Sequence, residues 1–202
     1  MKLFNQKIKK DRGMSYVELI VVLGIFSILS SVVLYNYGLF QDRIDIKNLS
    51  SDIALKVVES QKLSLSGKFP PPSYSITPTW KPSYGVYLSP GSDNKSFAYF
   101  VDIDNNNLFD GSASNCTGEC LEKITITKGN SISSLDIIYK DATVVPLSDL
   151  TISFIRPNSV AIIKSGTAFS DSSVDHAEIS VISQKGTIAK IKVYPSGRIQ
   201  IN

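Results

Sequence analysis

Acidic and amide side chains crowd the stretch Asp102-Ile103-Asp104-Asn105-Asn106-Asn107-Leu108-Phe109-Asp110-Gly111. Asp102, Asp104, Asn106 and Asp110 fall at relative positions 1, 3, 5 and 9, and Leu108 offers a backbone carbonyl at position 7. That is the front of an EF-hand-like loop, and its hard oxygen donors suit Ca²⁺. Alternation along the chain would point Asp102, Asp104 and Asn106 towards one centre. Ala113 stands where the bidentate Glu of such a loop is expected, and Asn107 stands where a Gly is expected. Glu119 or Glu122 is the carboxylate available to complete the shell. The competing reading is a polar hairpin loop, since Asn and Asp are common turn formers. Cys116 and Cys120 enclose Thr117-Gly118-Glu119. Outside a membrane this spacing favours a disulfide that staples the segment after Asp110. A metal-binding pair is the alternative, but no Cys/His cluster accompanies it. His176 follows Asp175 in a serine-rich chain, which makes a Ser/His/Asp triad formally possible. No G-x-S-x-G elbow and no P-loop is present, so the expectation is a packing or surface histidine and no catalysis.

These groups must be carried by an unevenly built chain. It has 202 residues and a net charge of +3, with 43% hydrophobic and 19% charged residues. Wholly disordered and collagen-like chains are excluded. Met1–Gly13 carries Lys2, Lys7, Lys9, Lys10 and Arg12 against Asp11 alone. Without that stretch the chain is close to neutral, so there is no protein-wide basic footprint for nucleic acid. Leu19 to Gln41 contains no charged residue. As a helix rising about 1.5 Å per residue it would reach about 35 Å, enough to cross a hydrocarbon core of about 30 Å. The basic residues all precede it, which places residues 1–13 in the cytoplasm and the C-terminal bulk outside. An ordinary cleaved Sec signal is the alternative. However, Tyr35-Asn36-Tyr37-Gly38 follows the apolar run in place of an A-x-A-like site, and no lipoprotein Cys is there. Glu18 stands at the start of the run, where an ionised carboxylate at membrane depth is costly unless it stays hydrated or finds a cation.

The stretch Lys9-Lys10-Asp11-Arg12-Gly13-Met14-Ser15-Tyr16-Val17-Glu18-Leu19-Ile20-Val21-Val22-Leu23 resembles the class III signal of type IV prepilins and pseudopilins. The resemblance implies that a prepilin peptidase cuts between Gly13 and Met14 and methylates Met14. It also implies that Glu18, fifth in the mature chain, meets the new α-amine of a neighbouring subunit. Pairing relieves much of the cost of two isolated charges in a low-dielectric bundle and favours one axial register. Met14 replaces the more usual Phe, and Tyr35 stands where many members carry a helix-kinking proline.

Beyond the apolar run, Ile46, Leu49, Ile53 and Val57 recur at spacings of three, four and four, one face of an amphipathic helix. Gly67 and Pro70-Pro71-Pro72 end it, with Ser60, Ser64 and Ser66 weakening its last turns. The expected divisions are 1–13, a leader; 14–41, a transmembrane or filament-core helix; 42–67, its amphipathic continuation; and 68–202, a β-rich head. Strands are predicted at Tyr84–Leu88, Phe97–Val101, Lys123–Thr127, Leu135–Tyr139, Thr151–Ile155, Val160–Ile163, Ala177–Ile182, Lys190–Tyr194 and Arg198–Ile201. The fold class is therefore α+β, a long N-terminal helix packed on an antiparallel sheet, pilin-like in arrangement. The Tyr84–Leu88 and Tyr99–Asp102 strands and the terminal Gly197-Arg198-Ile199 are similar to the GspH/FimT-like minor pseudopilins. Tyr74, Trp80 and Tyr84, lying among prolines, form an exposed patch or cover the core.

The resemblance implies a structural, non-enzymatic subunit of a type IV pilus or type II secretion-like filament. Its partners would be other pilin or pseudopilin subunits, the prepilin peptidase, an assembly platform with its ATPase, and membrane lipid before assembly. Its location would be the cytoplasmic membrane, then a filament outside it. A DNA-binding or adhesive minor pilin is the alternative, with Lys185, Lys190, Lys192 and Arg198 as the basic cluster that DNA capture needs. A membrane-anchored exported enzyme is a third reading, without a catalytic constellation to support it.

Overall fold

The structure, a computed structural model, describes residues 13–72, 74, 82–155 and 157–202. Residues 1–12 of the leader and Trp80 lie outside the described residues. One helix, α1 (Tyr16–Ser66), is followed in chain order by β1 (Ser83–Ser89), β2 (Asp93–Asp102), β3 (Gly111–Ser112), β4 (Thr117–Gly118), β5 (Cys120–Thr125) and β6 (Ser131–Tyr139). Then come β7 (Val144–Pro146), β8 (Leu150–Phe154), β9 (Ala161–Lys164), β10 (Val174–Ile182), β11 (Ile188–Val193) and β12 (Ile199–Ile201). The expected α+β architecture is present. The chain divides into two compact units, 1–41 and 42–202.

In the first unit α1 begins as Leu19 N–H donates to Ser15 C=O at 3.1 Å. Its apolar window is long enough to cross a membrane once and is exposed along its length. Ser27 turns its hydroxyl back onto Leu23 C=O at 2.8 Å, so this polar side chain leaves no unsatisfied donor on the helix surface.

In the second unit the remainder of α1 is amphipathic. Ile46, Leu49, Ile53, Ala54 and Val57 are buried on one side, as the apolar spacing demands. Gly67 ends the helix at φ 61°, a left-handed conformation that costs glycine little. Gly67 N–H reaches Ser64 C=O and Lys68 N–H reaches Leu63 C=O, a Schellman closure. Ser60 and Ser64 are completely buried. Ser64 is not a weak point of the last turns: its Oγ accepts the Tyr84 N–H at 2.8 Å and joins the helix to β1.

Two five-stranded antiparallel sheets, ordered β5-β2-β1-β8-β9 and β12-β11-β10-β6-β7, share one apolar core with the helix. Alternation sorts their faces: Tyr84, Val86 and Leu88 of β1 point inward, as do Ile179 and Val181 of β10 and Ile191 and Val193 of β11. Ala161 N–H donates to Pro195 C=O at 2.9 Å and links the first sheet to the second. Most predicted strands are present within a few residues of their expected ends. The third is displaced: it runs Cys120–Thr125, not Lys123–Thr127, because its pairing with β2 begins at Phe100↔Cys120. Three short strands, β3, β4 and β7, are additions. Tyr84 is part of the core, not an exposed patch, and Tyr74 donates its hydroxyl to Cys120 C=O at 2.6 Å.

Candidate functional site

Strand β2 delivers Asp102 to the start of the acidic loop, fully buried. The chain then turns, with Asn105 and Asn107 at φ 64° and 63°, the left-handed region that Asn tolerates better than most residues. This turning, rather than strand alternation, arranges the loop. Asp102 organises it. Its Oδ1 accepts the Asn105 N–H at 2.8 Å, and its Oδ2 accepts the Asn107 N–H at 3.1 Å and the Ser83 hydroxyl at 2.9 Å.

Glu119 supplies the second anchor. It is 4% exposed, and its two oxygens accept the Ile103 N–H at 2.6 Å and the Asp110 N–H at 3.0 Å. One carboxylate thereby holds both ends of the loop. Its backbone is held as well: Glu119 N–H donates to Asp110 C=O and Val101 N–H donates to Glu119 C=O, each at 3.0 Å. Phe109 folds from the loop onto the outer face of the first sheet, 4.7 Å from the Tyr87 ring and 5.4 Å from the Phe100 ring. Cys116 and Cys120 are joined by a disulfide, as expected.

The carboxylates of Asp102, Asp104 and Glu119 come together, with one oxygen of each within 4.8 Å of the others. Of the two carboxylates considered for completing the shell, Glu119 is the one brought to the loop. Glu122 pairs instead with Lys56 at 2.9 Å. Asp110 stands outside the three-carboxylate group. Asn106 acts as a cross-link: its amide donates to Asp104 at 2.9 Å and to Asp110 at 2.6 Å, and its oxygen accepts the Leu108 N–H at 2.6 Å. Burial pushes the Asp102 carboxyl above its ordinary range, and the nearby Asp104 adds to this. Burial also raises Glu119, with further contributions from Asp102 and Asp104. Their hydrogen bonds oppose both shifts without cancelling them. Three converging carboxylates with an all-oxygen donor set fit a hard divalent cation, because a cation offsets both the burial that chiefly raises Asp102 and Glu119 and their smaller mutual repulsion.

The other candidate residues lie elsewhere. Met14 is 64% exposed just ahead of α1, and Glu18 is in the helix's first turn. His176 is 5% exposed, with Nδ1 at 2.7 Å from Asp175 and Nε2 buried without a hydrogen-bond partner. Among the described residues no hydroxyl meets Nε2, so the Ser/His/Asp arrangement is not assembled there. Lys190 and Lys192 both turn to Glu178, at 2.6 and 3.8 Å, and the Arg198 guanidinium stacks 3.8 Å from the Tyr194 ring centre. The basic residues considered for DNA are thus largely engaged within their own sheet.

Comparison of the chain with protein-family models, curated proteins and solved structures gives no match.

Proposed function

We propose that the chain is a structural subunit, a minor pilin or pseudopilin, of a type IV pilus or type II secretion-like filament. It is inserted in the cytoplasmic membrane with its leader inside and its head outside, cut after Gly13, and methylated on Met14. Glu18 then pairs with the α-amine of an adjacent subunit as the helix passes from lipid into the filament core. The prepilin peptidase, the assembly platform with its ATPase, and other subunits are its partners. In this reading the chain itself catalyses nothing.

One observation carries the proposal. A single continuous helix begins three residues after Gly13, places Glu18 in its first turn, and runs from an apolar half with no buried residue into an amphipathic half built into a β-rich core. A soluble protein has no use for so much apolar helix surface, whereas lipid or a bundle of like helices would cover it. Within the head, Asp102, Asp104 and Glu119 would hold Ca²⁺, which would supply charge neutralisation and loop order rather than reactivity.

Mass spectrometry of the protein from native membranes tests the reading. The expected product starts at N-methylated Met14, and Glu18→Ala is expected to give a processed, folded subunit that fails to enter filaments. Retention of residues 1–13, or release by a cut beyond the apolar run, would overturn it.

A further inference from the structure

Two turns of the head close around the first residues that follow the apolar run in the chain. Asp42 comes directly after it, and its Oδ2 accepts the Ser183 hydroxyl at 2.8 Å and the Thr187 hydroxyl at 2.6 Å. The β10–β11 turn, with Lys185 at its tip, is thereby fixed beside α1. Asp45 takes the Lys128 ammonium at 2.6 Å, which fixes the β5–β6 turn beside the same helical turns. The two turns also abut, since a Cβ at Gly129 would lie 3.2 Å from the Gln184 side chain.

The charges at this end are ordered by sign. Both acids, Asp42 and Asp45, accept bonds from the head itself. The cations lie on the outside: Arg43 and Lys47 are exposed on one flank of α1, four residues apart, while on the two turns Lys128 stays 57% exposed as it bonds Asp45, and Lys185 is exposed with its charge acting on Asp42. The result is a collar with more positive than negative charge around the chain position where the uncharged run ends.

From this juxtaposition we infer that the collar binds anionic phospholipid headgroups of the leaflet on the head's side, before the subunit enters a filament. The inference rests on the membrane-anchored reading above. A charge on a residue that follows directly on a membrane span is held within a few ångströms of the phosphates. That lies inside a screening length of about 8 Å at physiological ionic strength, where basic residues are attracted to an anionic surface. Two consequences follow. The head has a preferred seat on anionic membrane, and leaving the bilayer requires breaking those phosphate contacts.

The test uses the full chain in phosphatidylcholine nanodiscs, with and without phosphatidylglycerol, read by hydrogen–deuterium exchange over residues 127–130 and 184–187. The expected result is several-fold slower exchange in the phosphatidylglycerol discs. High salt should abolish the difference, and the Arg43→Glu/Lys185→Glu double variant should lose it. Lys47→Glu, which touches neither turn anchor, should reduce it while leaving exchange elsewhere in the head unchanged. Equal exchange in the two lipids, with the chain resisting alkaline extraction, would overturn the collar and leave the anchor standing. Extraction of the chain by alkali would overturn the anchored reading itself, and the collar with it.

Discussion

The Tyr84 backbone N–H donates to Ser64 Oγ at 2.8 Å, with both residues buried. A helix side chain thus adds a buried acceptor at the start of β1, where Tyr84 also pairs with Val101 and Phe154 in the sheet. Truncation to Ser64→Ala removes this buried helix-to-strand hydrogen bond, a loss of about 0.5–1.5 kcal/mol. Chemical denaturation should show this loss with an unchanged denaturant slope. Ser64→Thr keeps the acceptor but adds a methyl group at a fully buried position, so it should also destabilise, through packing.

The loop carboxylates give a prediction in divalent cations. Calorimetry of the full chain in detergent should detect Ca²⁺ binding that Asp104→Asn weakens and Glu119→Gln weakens more. Asp104 is exposed and cross-linked only within the loop, whereas Glu119 also holds the Ile103 and Asp110 amides. No heat at millimolar Ca²⁺ would remove the cation from the proposal.

The same groups set a pH dependence. Asp102 and Glu119 titrate above the ordinary carboxylate range when folded, so the native state holds more protons than the unfolded chain between the ordinary and the raised values. Their contribution to stability is full below that window and declines as pH rises through it. Melting curves recorded with a chelator should show this decline, and Glu119→Gln should flatten it. Asp93 acts oppositely: hydrogen bonds from Ser96 and the Lys95 amide, with the Lys123 ammonium, hold its carboxyl low. Its contribution fades only as pH falls below the ordinary range, so the two effects occupy separate windows.

How far the chain could be read before its structure depends on the range of each signal. Ile46, Leu49, Ile53 and Val57 are buried as their spacing requires, because helical periodicity is written locally. Ile179 with Val181 and Ile191 with Val193 were legible because strand alternation is equally local. Strands β3 and β4 pair over two residues and β7 over three, too few to alternate. Strand β5 starts ahead of its clearly alternating stretch, because Cys120 already pairs with Phe100, and that alternation runs on past the strand's end to the buried Ile126. Glu119 was visible only as one of two acids near the loop. The antiparallel pairing of β2 with β5, with its irregularity between Tyr99 and Phe100, brings it back to Asp102, and nothing local encodes that register. The Asx contacts of Asp102 follow from Asn105 and Asn107 turning left-handed, for which the run of asparagines was the available sign.

Opening the disulfide should act locally. In Cys116→Ser/Cys120→Ser, amide exchange at Ile103 and Asp110 should rise several-fold because Glu119 lies inside the ring and holds both amides. Exchange in β10 and β11 should not change. A global collapse of protection would contradict this assignment.

The smallness of that ring also has a consequence for maturation. A cross-link four residues apart constrains the unfolded chain by about 2 kcal/mol, against about 4.7 for a hundred-residue loop. The apolar cluster shared by α1 and the two sheets contains neither cysteine. Folding can therefore precede oxidation, and sulfur chemistry becomes a finishing step that sets one corner of an already shaped head. If the head is exported as proposed, such an order suits a polypeptide synthesised on the reducing side of a membrane and completed on the other.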